Sequence, residues 1–234
     1  MHFLQSLTKS HRMDWKAFEL RILSALHNLV KLAAPGSVSV TFSKWKGAPE
    51  WDVEALEEFE KVRGRRLPES FRRALLEYSS RFECSWSILG EDGEDGEDDR
   101  NYALEDELGV SMGEISWSLE ALRKLNAEQK DFQSSDGWAD PWENKLPFYC
   151  TGGGDMLAID TSVDDGPVVY LSTRGFDELD NVPLGTNFLD FLDRASRTAF
   201  ADVEMYPLGW ASAEKGLDPE SKKARRFRKK LRID

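Results

Sequence analysis

The stretch Glu60-Lys61-Val62-Arg63-Gly64-Arg65-Arg66-Leu67-Pro68-Glu69-Ser70-Phe71 decides how this chain folds, because it stops one helix and starts another within a few residues. Ahead of it, Val53, Leu56 and Phe59 lie three apart and make one apolar helix face. Gly64 then takes a left-handed stop at little steric cost. Beyond it, Pro68 suits a first helical turn, and Phe71, Ala74, Leu75 and Tyr78 supply the apolar face of a second helix.

Toward the N-terminus, Trp15, Phe18, Ile22, Leu26 and Leu29 recur at three- and four-residue steps and predict a helix near residues 12 to 33, ending before Pro35-Gly36. Such a helix either packs on the main core or docks a partner. Val38, Val40 and Phe42 alternate with Ser39, Thr41 and Ser43, the pattern of a half-buried strand.

Toward the C-terminus, a Trp-bearing apolar run spans Cys84 to Ile88, and residues 101 to 114 carry no clear period. Ser118 reads as the cap of a helix bearing Leu119, Leu122 and Leu125. Leu146 to Cys150, Asp155 to Asp160 and Pro167 to Leu171 are short apolar runs split by turn formers, with Asp165-Gly166 a tight-turn pair, so they predict an antiparallel meander. Thr186 is the expected cap of a helix carrying Phe188, Leu192, Ala195 and Ala199. Helices cluster before and after the strands instead of alternating with them, which makes the class α+β.

Helix, glycine, Leu-Pro helix, Trp-bearing strand, a helix near Leu119 to Leu125, Leu146-Pro147-Phe148, Gly152-Gly153-Gly154-Asp155, paired strands and a Phe188-led helix come in an order that resembles the SUKH superfamily. That superfamily takes in fungal cell-wall-synthesis regulators of the SMI/KNR type and many bacterial immunity proteins. Glu60, Gly64, Leu67, Pro68, Phe71, Gly154 and Asp155 match its recurrent positions, most of them fold-setting. The resemblance implies a SUKH-like domain over 45–200, with an N-terminal helix and strand extension over 1–44 and a C-terminal extension over 201–234. It also implies a protein-binding module without catalysis or cofactor.

The net charge of −12, from 43 acidic and 31 basic side chains, opposes a general affinity for nucleic acid and favours a partner with a basic surface. Seven of nine residues from Glu91 to Asp99 are acidic, and Glu91, Asp92, Glu94, Asp95, Glu97, Asp98 and Asp99 are candidate partner contacts. They do not make a calcium loop: counted from Glu91, the third position is Gly93 and the twelfth Tyr102, so two required oxygens are missing. Trp138 and Trp142, in a turn-rich segment, read either as a local aromatic plug or as exposed anchors of an interface.

Asp218-Pro219-Glu220 reads as the start of a last helix with an Ala224, Phe227, Leu231 stripe and eight cations: Lys222, Lys223, Arg225, Arg226, Arg228, Lys229, Lys230 and Arg232. The acidic body is expected to draw this helix in and leave the intact protein with little hold on nucleic acid. A nucleic-acid or partner contact is the alternative.

Catalytic patterns fail on inspection. His2, His11 and His27 all precede the family-like region, and the glycine run leads into a strand with no Lys-Ser/Thr after it, so it matches neither a dinucleotide nor a phosphate loop. Asp155 is expected to bond local backbone. Cys84 and Cys150 lack metal spacing and read as small core residues of a reduced, cytoplasmic protein, with a disulfide left open. No apolar run is long enough to span a membrane. The leading expectation is an immunity protein that neutralises a toxin, plausibly a nuclease, by occluding its basic site. A regulatory scaffold of the SMI/KNR type is the alternative.

Overall fold

Two backbone reversals set the architecture, and each has a local cause. The first is at Gly64, whose φ of +73° lets the Gly64 N–H return to the Lys61 carbonyl and the Arg65 N–H to that of Glu60, both at 3.2 Å. This is the double bond of a Schellman stop. The second is at Gly185, where an added Cβ would lie 2.6 Å from the Phe191 backbone nitrogen, so only glycine lets the following helix sit this close.

In the computed structural model, the described residues are 13–46, 50–88, 99–133, 142–172, 180–201, 210–212 and 214–233. Helix α1 (Trp15–Leu32) starts at Asp14, whose carboxylate accepts the Ala17 N–H at 3.0 Å, and strand β1 (Val38–Lys46) follows. Helix α2 (Glu50–Arg63) leads through the Gly64 stop into α3 (Glu69–Arg73), which continues as one π-helical turn over Ala74–Tyr78 into β2 (Ser79–Ile88). Residues 101–114 resolve into the greater part of α4 (Asp99–Leu108) and the start of β3 (Met112–Ser118). Their weak period has a physical cause, since a short helix hands over directly to a strand that buries only alternate residues.

Antiparallel pairing orders the first sheet β1-β2-β3, with Phe42 opposite Cys84 and Phe82 opposite Trp117. Helix α5 (Leu119–Gln133) then begins where Ser118 accepts the Ala121 N–H. Strands β4 (Lys145–Cys150), β5 (Met156–Asp160), β6 (Val168–Leu171) and β7 (Pro183–Gly185) form the second sheet as a meander, in that order. Helix α6 (Phe188–Ser196) covers one side, the short pair β8 (Ala211–Ser212) and β9 (Gly216–Leu217) follows, and α7 (Lys222–Leu231) closes the chain.

The apolar runs of β5 and β6 are buried throughout, because their alternate residues feed two cores. Leu157, Ile159, Val168 and Tyr170 join the main core, while Met156, Ala158, Val169 and Leu171 meet Leu125 and Trp142 in a smaller one. Side chains on a strand alternate faces, so a sheet covered on both sides has no polar alternation to show. The main core is continuous from Phe18 of α1 through Phe71 and Phe188 to Phe227 of α7.

Three local expectations are corrected. Helix α6 is capped by Asn187, which accepts the Asp190 N–H at 2.9 Å, while Thr186 turns its N–H and hydroxyl to the Asp190 carboxylate. Helix α7 is capped by Ser221, because the Asp218 carboxylate is already engaged by the Glu220 N–H in the preceding turn. Cys84 is buried, but Cys150 at the end of β4 is exposed, and both are free thiols.

Candidate protein-binding site

Polar groups that resemble site chemistry turn out to hold backbone together. The Glu60 carboxylate, on a residue only 8 % exposed, accepts the Leu67 N–H at 2.9 Å and faces Arg72 Nε at 3.4 Å. It ties the end of α2 to the Leu-Pro segment, a use that spacing alone does not reveal. Ser70 is a second knot: Asp165 accepts both its N–H and its hydroxyl, and its oxygen accepts the Phe188 N–H at 3.1 Å. This joins α3, the β5–β6 turn and α6, and nothing in the sequence pattern pairs Ser70 with a residue 95 positions away. The Asp155 carboxylate accepts the Tyr170 hydroxyl across the sheet.

The buried thiol is a poor nucleophile. Burial pushes the Cys84 thiol up to about 12, with Glu114 and Glu83 adding to the effect, so its thiolate is scarce near neutral pH. Among the described residues no group of three His, Cys, Asp or Glu side chains is placed to hold a metal ion. His27 lies exposed on α1, and His2 and His11 fall outside the described residues.

A recess of about 200 Å³ opens where α2, the π-helical turn, and the ends of β1 and β3 converge. Leu56 and Leu75 are almost fully buried at its floor, Leu76 and Leu119 are part-buried in its walls, and Trp45 of β1 stands over it 54 % exposed. Arg81, Glu120 and Arg123 also line it. Arg123 donates to the Ala55 carbonyl at 3.1 Å, whereas Arg81 and Glu120 have no ion pair among the described residues. The recess thus has an apolar floor with charged residues at its edge.

Of the residues expected to touch a partner, Glu91, Asp92, Glu94, Asp95, Glu97, Asp98 and Trp138 lie outside the described residues, and Asp99 is the first residue of α4. Trp142 is 1 % exposed in the smaller core, with Gln129 donating to its carbonyl at 2.9 Å. Its ring is a plug beneath the second sheet, and no face of it is offered to a partner unless that core opens. Trp45, absent from the sequence-based candidates, is an exposed indole, the one large exposed aromatic among the described residues. Its place in an alternating strand, on the opposite parity from half-buried Phe42, was the available signal.

The family model for the SMI1 / KNR4 family (SUKH-1) matches residues 51–194, from the start of α2 into α6. The chain belongs to this family. For a SUKH-1 protein the matched region holds the Glu60–Leu67 tie, the Asp155–Tyr170 bond and the Ser70 knot, the last of which joins α3, the β5–β6 turn and α6. The recess also falls largely inside it, with Trp45 contributed from just upstream. No curated protein and no solved structure matches the chain. No helix among the described residues is long and apolar enough to cross a membrane.

Proposed function

We propose that this SUKH-1 chain is a non-catalytic binding module of the immunity type, which neutralises a toxin by one-to-one occlusion of its basic, nuclease-like site. The observation that carries the reading is the size and lining of the recess. At about 200 Å³ it is smaller than the roughly 300–1,000 Å³ of small-molecule sites. It suits one apolar side chain of a protein partner, with Trp45 as the anchor on this side. The net charge of −12 and the acidic run from Glu91 to Asp99 would steer a basic partner toward the complex.

The two contributions separate kinetically. Association of the protein with the toxic product of a neighbouring gene is expected to slow as ionic strength rises, since steering is screened over about 10 Å at 0.1 M salt. Neutralising Glu94, Asp95, Glu97 and Asp98 together is expected to lower mainly the on-rate. Trp45→Ala is expected to raise the off-rate and weaken binding by about 2 kcal/mol or more, with the thermal midpoint nearly unchanged. Surface plasmon resonance reads both, and a toxin bound equally tightly by the Trp45→Ala protein removes the recess from the interface.

A further inference from the structure

Helix α7 is held by its apolar stripe. Ala224, Phe227 and Leu231 are between 0 and 1 % exposed, and the Phe227 ring lies 6.1 Å from that of Trp86 and 5.1 Å from that of Trp210. Asn28 of α1 donates to the Leu231 carbonyl at 2.7 Å. Charge contributes at the flanks, where Arg228 meets Glu220 and Lys230 meets Glu107. Docking therefore uses two of the eight cations and leaves the others outside, which alters the expectation that the acidic body would absorb them. Lys222, Lys223, Arg226, Lys229 and Arg232 are exposed without an ion pair among the described residues, and exposed Arg225 has only a longer-range attraction to Glu220.

Lys222, Arg225, Arg226 and Lys229 follow i, i+3, i+4, i+7 spacing and line the side of α7 opposite its buried stripe. Neighbours on such a row are about 5–6 Å apart. This outer face carries no aromatic or large aliphatic anchor of the kind that dominates protein interfaces, and none that could insert into a lipid surface. A regular cationic row with no apolar contact matches a regularly charged polymer. We propose that the outer face of α7 is a sequence-independent contact for the phosphate backbone of nucleic acid, separate from the recess beside Trp45.

The acidic body does not forbid this. Without the eight cations the remainder carries −20, but α7 itself is a spacer about 10–12 Å across. That exceeds the roughly 8 Å screening length at physiological ionic strength, so a strand on the outer face is largely shielded from the charges behind it. The body instead weakens long-range attraction, which makes the contact short-ranged and salt-sensitive.

The test uses the full chain and a labelled random-sequence duplex of about 20 base pairs, followed by fluorescence anisotropy over a salt series. Four contacts predict measurable binding at 0.1 M salt, where the screening length is about 10 Å, with log K falling against log salt above it at a slope of about −3.6. The Lys222→Gln, Arg225→Gln, Arg226→Gln, Lys229→Gln protein, checked for an unchanged melting temperature, is expected to lose binding at least tenfold. A parent chain that ignores the duplex at about 0.1 M salt overturns the proposal, as does a quadruple variant that binds like the parent. Binding to polyglutamate or to phosphatidylserine vesicles without binding to the duplex also overturns it and assigns the face to an acidic protein or a membrane instead.

Discussion

Glu60 shows how a charged residue becomes structural. Its carboxylate replaces water for a Leu67 N–H that the Leu-Pro turn buries, and Arg72 stands at 3.4 Å to balance the charge. Glu60→Ala orphans a buried donor and an arginine together, so it is expected to cost about 1–3 kcal/mol, with Glu60→Gln costing less because an acceptor oxygen remains. Phe71, fully buried 4.5 Å from the Phe188 ring and 5.8 Å from that of Phe148, is expected to cost about 3–5 kcal/mol on truncation to alanine. Urea unfolding at unchanged m-value measures these losses. A Phe71→Ala protein of parental stability would place that ring at an interface instead. Both residues were legible as family positions, yet only for Phe71 did helical spacing also give the role. Glu60 acts through a bond to the Leu67 N–H beyond the Gly64 stop, where helical spacing no longer says which groups meet.

At the scale of the element, α6 carries its own acid sensitivity. Burial alone would raise the Asp190 carboxyl, but the Thr186 N–H and the Arg194 side chain outweigh it and hold the group below its ordinary value of 3.8. A depressed folded-state value means the ionised form is favoured by folding. Its contribution is therefore complete above the unfolded value and is lost as pH falls through the folded one. Asp190→Asn is expected to flatten the fall in unfolding free energy below about pH 4. Denaturant titrations at stepped pH check this, and an equally steep acid limb in the variant would place the linkage elsewhere. The cap itself was misplaced by one residue in the sequence because Thr186 and Asn187 are both good caps. Which one is used depends on where β7 delivers the chain to α6.

Across the whole molecule, the core joins α1, the family region and α7 without a break. Phe227 contacts Trp86 of β2 and Trp210 near β8, so α7 is built into the packing of the first sheet. Phe227→Ala is accordingly expected to lower stability by about 3–5 kcal/mol and to shift one shared transition. Coincident unfolding curves from tryptophan fluorescence and far-UV circular dichroism test the coupling. A separate early transition in the variant would show that α7 is an independent appendage.

By itself, the sequence determined the helices with strong 3.6-residue periods, the Gly64 stop, the meander from β4 to β6, the α+β class and the family, because each rests on contacts within a few residues or on a local pattern. Tertiary structure alone decided what the polar groups do. Ser70 meets Asp165, Asp155 meets Tyr170, and Trp142 is enclosed while Trp45 is left in the open, through pairings between segments that no local period connects. The same holds for α7, whose composition declared its charge but not its orientation. Burial of Ala224, Phe227 and Leu231 fixes which side faces the core, and thereby leaves Lys222, Arg225, Arg226 and Lys229 facing water.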